Sequence, residues 1–119
     1  MEIINLTPHK VCLENENTKK IIFEPSGKVM RANFDIEKYG SIYDRTSGQE
    51  LNVMRKKYTS INDADIVIEP YKIYIVSLEV LKAMKELNYP NAIQFVAPDS
   101  SKANRVGDTI ISVERFVVL

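Results

Sequence analysis

Residues 71–101 constrain this chain most, because their hydrophobic pattern changes period twice. Lys72-Ile73-Tyr74-Ile75-Val76 reads as a strand. The following residues carry Leu78, Leu81, Met84 and Leu87, with Val80, at helical spacing, while Lys82, Lys85 and Glu86 face water. Ala92-Ile93-Gln94-Phe95-Val96-Ala97 then returns to a strand, closing on Pro98-Asp99-Ser100-Ser101. Ser77 suits an N-cap, and Glu79 in the first turn suits the positive end of the helix dipole. Asn88-Tyr89-Pro90 stops the helix, because proline cannot continue it. If the two flanking strands are neighbours in one sheet, they are parallel and joined by a right-handed crossover.

The remaining segments read as strands and turns. Residues 2–6 start a strand, Pro8 bends the chain, Val11-Cys12-Leu13 resumes it, and Ile21-Ile22-Phe23 returns after the polar loop 14–18. Pro25-Ser26-Gly27 is a tight turn before a strand over 29–34, so residues 1–34 predict an antiparallel meander. Residues 35–40 predict a loop or helical turn. Residues 50–58 predict an edge strand, whose Arg55-Lys56-Lys57 discourages edge-to-edge pairing. A long, paired and buried strand is expected over 108–119. The expected fold is a single α+β domain over 1–119, strand-rich and mainly antiparallel, resembling a small barrel or sandwich with one helix at about 77–88.

Composition removes several function classes. Lys plus Arg equals Asp plus Glu at 16 each, so no overall field draws the chain to polyanions or membranes. Nucleic acid is therefore not an expected partner. One cysteine, Cys12, permits no intrachain disulfide and reads as a buried structural thiol. The N-terminus lacks the pattern of a signal peptide, and no run reaches the ~20 apolar residues of a membrane span, so a cytoplasmic protein is expected. No phosphate loop, GxGxxG or GxSxG motif is present, and Cys12 with His9 is too few ligands for zinc. Neither a cofactor nor a metal is expected.

Three polar corners remain. In a strand-helix-strand unit, ligands gather at the C-terminal ends of the strands. Those ends carry Ser77, the free amides of the helix start, and Asp99-Ser100-Ser101, with Lys102, Asn104 and Arg105 close behind. The plain alternative is that Ser77 only caps the helix and Asp99-Ser100-Ser101 is a solvated turn. The second corner is Thr7-Pro8-His9, whose lone histidine suits proton transfer or a hydrogen bond to phosphate. The third is Pro25-Ser26-Gly27-Lys28 with Arg31, a turn whose amides suit an anion, although a plain hairpin turn needs no ligand. The six tyrosines (39, 43, 58, 71, 74 and 89) offer stacking surfaces, or serve as core and rim.

Ile4-Asn5-Leu6-Thr7-Pro8-His9, Pro25-Ser26-Gly27, Tyr74-Ile75-Val76-Ser77 and Ala97-Pro98-Asp99 occur in that order. Together they resemble a group of small bacteriophage and mobile-element proteins with an INLTPH opening. Residues 35–68 lie outside the resemblance. It implies a phage setting, in the host cytoplasm, and a protein that acts by binding. The expected function is sequestration of a nucleotide-derived immune signal, ADP-ribose-like or a cyclic nucleotide, as anti-defence by an oligomer. The expected ligand contacts are Thr7, His9, Arg31, Ser77, Asp99, Ser100 and Arg105, with Lys28 as a further candidate. Two rivals stand beside this: an inhibitor docking a host protein by strand addition, and a small phosphodiesterase or hydrolase with His9 as acid/base and Asp99 orienting it.

Overall fold

The computed structural model describes residues 1–107 and 109–119; Asp108 and the side chains of Thr18, Lys102, Thr109 and Ile111 lie outside that description. The chain is a strand-rich α+β domain; among the described residues there is one α-helix and no closed barrel. Its first sheet joins β1 (Glu2–Asn5), β6 (Lys72–Ile75), β7 (Phe95–Pro98) and β10 (Phe116–Val117), in that order. β1, β6 and β7 run parallel, and β10 closes the edge antiparallel to β7. The second sheet is ordered β3 (Thr18–Phe23), β2 (Val11–Asn15), β9 (Thr109–Val113), β8 (Ala103–Val106). A third pairing joins only β4 (Arg31–Asp44) to β5 (Gln49–Asn62), each 14 residues long.

The strand-helix-strand unit is present. Helix α1 (Leu78–Glu86) is capped by Ser77, whose Oγ accepts from the Val80 amide at 3.2 Å. At the other end Asn88 takes φ 53°, which lets the Tyr89 amide donate to the Met84 carbonyl at 2.9 Å. Val80, Leu81, Ala83 and Met84 are buried, and Val80, Leu81 and Met84 pack with Leu6, Met30, Tyr74, Val76, Phe95 and Ala97. The Tyr74 and Phe95 rings stack at 5.5 Å, and Tyr89 meets Phe95 edge-on at 6.0 Å. Tyr74 also accepts from the Glu69 amide at 2.9 Å, so its hydroxyl is satisfied inside the core.

Five expectations need correction. Residues 92–94 are not strand but a 3-10 helix, Ala92–Gln94, so β7 starts only at Phe95. Residues 1–34 are not a meander: β2 and β3 pair as a hairpin, but β1 leaves them to lie parallel to β6, seventy positions away. Residues 35–40 are neither loop nor helical turn but part of β4, whose ribbon with β5 makes the molecule 56 Å long. The C-terminal strand is broken by Glu114-Arg115 into β9 and β10, and its start at Asp108 falls outside the described residues. Its end is not buried, since Val118 and Leu119 are more than half exposed. Cys12 is only half-buried. Among the described residues no helix is long and apolar enough to cross a membrane.

Candidate functional site

The site starts from one buried polar residue. Asn5 is 2% exposed at the end of β1. Its Nδ2 donates to the carbonyls of His9 and Phe23, both at 2.9 Å, and its Oδ1 accepts from the Thr7 amide at 2.9 Å and hydroxyl at 2.7 Å. All of its capacity is thus spent on folding residues 5–9 into a corner and tying that corner to the end of β3. The Thr7 hydroxyl also lies 2.8 Å from the His9 carbonyl, so its single proton is shared inside the corner. Pro8 and the His9 ring project outward from it and are exposed.

The sheet carries this corner to the helix. The Leu6 amide donates to Ile75 at 2.9 Å, and the Met30 amide donates to Leu6 at 3.0 Å, so β1 lies between β6 and the chain entering β4. The C-terminal ends of β1 and β6, the start of α1 and the root of β4 consequently converge. They enclose a cleft of about 460 Å³ reached by Thr7, His9, Arg31, Phe34, Ser77 and Glu79. Val29, Met30, Ala32 and Val80 form its apolar part.

Charge in the cleft is unevenly committed. Lys56 Nζ is paired with Glu79 at 2.5 Å and sits 4.1 Å from the centre of the Phe34 ring. The Glu79 carboxylate beside it raises the Lys56 pKa and keeps it cationic. Arg31 makes no ion pair or side-chain hydrogen bond among the described residues, nor does the His9 ring. The cleft thus offers an uncommitted guanidinium, an uncommitted imidazole and the amides at the start of α1. That set suits an anion, and the Phe34 ring and aliphatic floor suit a flat or apolar group beside it.

Four of the seven expected contacts, Thr7, His9, Arg31 and Ser77, are brought together here. The other three are not. Asp99 lies on the same edge of the first sheet, yet it does not line the cleft. Its carboxylate accepts from the Ser101 amide at 3.1 Å and hydroxyl at 2.6 Å, and from Arg115 Nε at 2.8 Å. These bonds, the Ser101 hydroxyl first, hold its pKa at about 2. Ser100 is exposed in the 3-10 turn Ser100–Lys102, and Arg105 sits on β8 opposite Ile110. Lys28 borders a separate depression with Ser26, Asp65 and Glu69. None of the six tyrosines lines the cleft; the aromatic ring that does is Phe34, which sequence patterning did not single out. The Lys56–Glu79 pair was missed because its partners are distant in the chain, and Asn5 was not singled out although it bonds Thr7 and His9 locally as well as Phe23.

Fold and cleft together define a small strand-rich α+β domain with a pocket of mixed polar and apolar lining at the C-terminal ends of the parallel strands β1 and β6. No family model, curated protein or solved structure matches this chain.

Proposed function

We propose that this protein binds a small anionic, nucleotide-like molecule in the β1–β6–α1 cleft and holds it chemically unchanged. The observation that carries this reading is the convergence of Arg31 and His9, whose side chains are unpaired among the described residues, with the start of α1 around one cleft of about 460 Å³. Pockets of roughly 300–1,000 Å³ take ligands of mononucleotide size. Arg31 and the α1 amides take the phosphate in this arrangement, His9 donates a hydrogen bond to it, and Phe34 with the cleft's aliphatic floor covers the base or ribose. Arg31 is the specific element: its planar fork matches two phosphate oxygens at once.

Retention fits better than turnover. A hydrolase built on His9 and Asp99 needs those side chains in contact, and the Asp99 carboxylate is turned to Arg115 and Ser101 instead. In the phage setting that the opening motif implies, the protein acts as a sponge for an ADP-ribose-like or cyclic-nucleotide immune signal. The test is calorimetric titration with ADP-ribose, mononucleotides and cyclic dinucleotides, followed by mass analysis of the recovered ligand. Binding of one class with intact recovery is expected. Ligand at 100 times Kd should stabilise the fold by about 2.7 kcal/mol. Arg31→Ala should weaken binding about tenfold or more, the worth of a charge-assisted bond, with no change in the ligand-free melting temperature. Equal affinity in Arg31→Ala, or conversion of the ligand to product, would overturn the proposal.

A further inference from the structure

One acidic side chain stands among the donors of the cleft. Glu79, the second residue of α1, is half-buried and is the one carboxylate that lines the cleft among the described residues. An acidic residue in a first helical turn needs no partner beyond the positive end of the dipole. This one has a partner. Its Oε1 accepts from Lys56 Nζ at 2.5 Å, and the same ammonium lies 4.1 Å from the centre of the Phe34 ring. Lys56 is thus shared between carboxylate and ring, which sets the Glu79 carboxylate close to Phe34.

The pair leaves acceptor capacity over. Lys56 takes Oε1, while Oε2 has no protein partner among the described residues. An ionised carboxylate only accepts, whereas Arg31 and the helix amides only donate. The two hydroxyls of the cleft are already engaged, Thr7 within the corner and Ser77 on the Val80 amide. The Lys56 charge also offsets that of Glu79, so the carboxylate does not cancel Arg31. The cleft therefore has donors for an anion and one charged acceptor next to its aromatic ring. That acceptor repels a further anionic group and attracts a neutral O–H.

Resting on the ligand reading above, we infer that Glu79 accepts a hydrogen bond from the ribose hydroxyl that deoxyribose lacks, so that the cleft selects ribonucleotides. The sugar joins phosphate to base. With the phosphate on Arg31 and the α1 amides and the base against Phe34, the sugar falls next to the carboxylate held beside that ring. Phosphate at a helix start and ribose hydroxyl on a carboxylate is the division of labour of nucleotide sites on parallel sheets. A site built to bond a hydroxyl discriminates against the analogue without it, because its acceptor is then left unpaired. Glu79 is half-buried and water reaches it, which keeps the discrimination moderate.

Calorimetric titration of the full chain tests this, with ADP-ribose and with adenine and guanine mononucleotides, cyclic mononucleotides and cyclic dinucleotides, each beside its deoxyribose counterpart. The ribose form of the class that binds should bind about tenfold more tightly, the worth of a hydrogen bond to a charged group. Glu79→Ala should bring that ratio to about one. Lys56→Met breaks the same ion pair but leaves the carboxylate in the cleft, so the preference should persist. The Lys56 and Glu79 side chains are 41% and 42% exposed, so neither substitution opens the core. Equal binding of ribose and deoxyribose forms by wild type overturns the inference and leaves the ligand reading standing. So does a preference that survives Glu79→Ala, or one that Lys56→Met erases as fully, since the pair would then act only by holding the arm to the helix. Binding of no probe removes the ligand reading, and this inference with it.

Discussion

The body of this molecule and its β4–β5 arm solve the same problem, keeping strands ordered, by different means. In the body, β6 and β7 are interior strands beneath α1, and Tyr74, Ile75, Val76, Phe95 and Ala97 have at most 1% exposure. Order there comes from burial. The arm has no such cover. It is held by its ladder and by exposed cross-strand contacts: Arg55–Glu37 at 2.6 Å, Ser41–Glu50 at 2.6 Å, Asn33–Ser60 at 2.9 Å and the Phe34–Tyr58 edge contact at 6.5 Å. Such pairs contribute about 0.2–1 kcal/mol each. The cleft lies where the two regimes meet, at the root of the arm, with Lys56–Glu79 joining the arm to the helix. The cleft thus has one wall backed by the buried core and one formed by the root of the ribbon.

The sharpest way to break this contrast is a pair of truncations. Phe95→Ala removes a fully buried ring that touches both Tyr74 and Tyr89, and should cost about 3–5 kcal/mol in denaturant unfolding. Ile36→Ala, at 63% exposure on the arm, should change stability by no more than about 0.5 kcal/mol in dilute protein. Comparable losses at the two sites would mean that the arm belongs to the core after all.

Next in size is Asn5→Ala. It leaves the Phe23 and His9 carbonyls and the Thr7 amide without their shared partner, and should cost about 2–3 kcal/mol. Because Asn5 shapes the corner that presents His9, ligand affinity should fall as well, although Asn5 does not line the cleft. Asn5→Asp sets a carboxylate oxygen against the His9 and Phe23 carbonyls in a buried site, so it should cost at least as much as Asn5→Ala. A full stability loss with unchanged affinity would separate the corner from the site.

The contrast also explains what could be read from the sequence. Helix α1 was legible because burial on one side writes its period into the residues, and the Ser77 cap is a local signal; the parallel pairing of β6 with β7 was expected only on the condition that the two strands are neighbours, which they are. The arm was half legible. Both of its faces meet water, so residues 35–40 mix Asp35, Ile36, Glu37, Lys38 and Tyr39 with no alternation to mark a strand. The parallel partnership of β1 with β6 left no mark near β1, since a register is a property of two segments. Likewise His9, Arg31 and Ser77 were identifiable singly as polar corners. That they line one cleft follows from the hydrogen bonds Leu6–Ile75 and Met30–Leu6, which no local pattern encodes.

The smallest expected effect concerns the corner that stayed out of the cleft. Asp99 is held at about 2 against an ordinary 3.8, first by the Ser101 hydroxyl and then by Arg115. A carboxylate whose pKa is lower in the folded chain than in the unfolded one stabilises the fold above the ordinary value and loses that contribution as pH falls towards the folded one. The window is therefore about pH 4 down to about pH 2. Asp99 is partly covered but its partner Arg115 is exposed, so the contribution is modest and weakened by salt. Melting temperature followed from pH 6 to pH 2 should fall less steeply in Asp99→Asn than in wild type, the two curves drawing together near pH 2. Ligand affinity at neutral pH should be the same in both. If Asp99→Asn instead abolishes binding while leaving the acid limb unchanged, the turn at 99–101 acts on the ligand, and the site extends along the whole C-terminal edge of the parallel sheet.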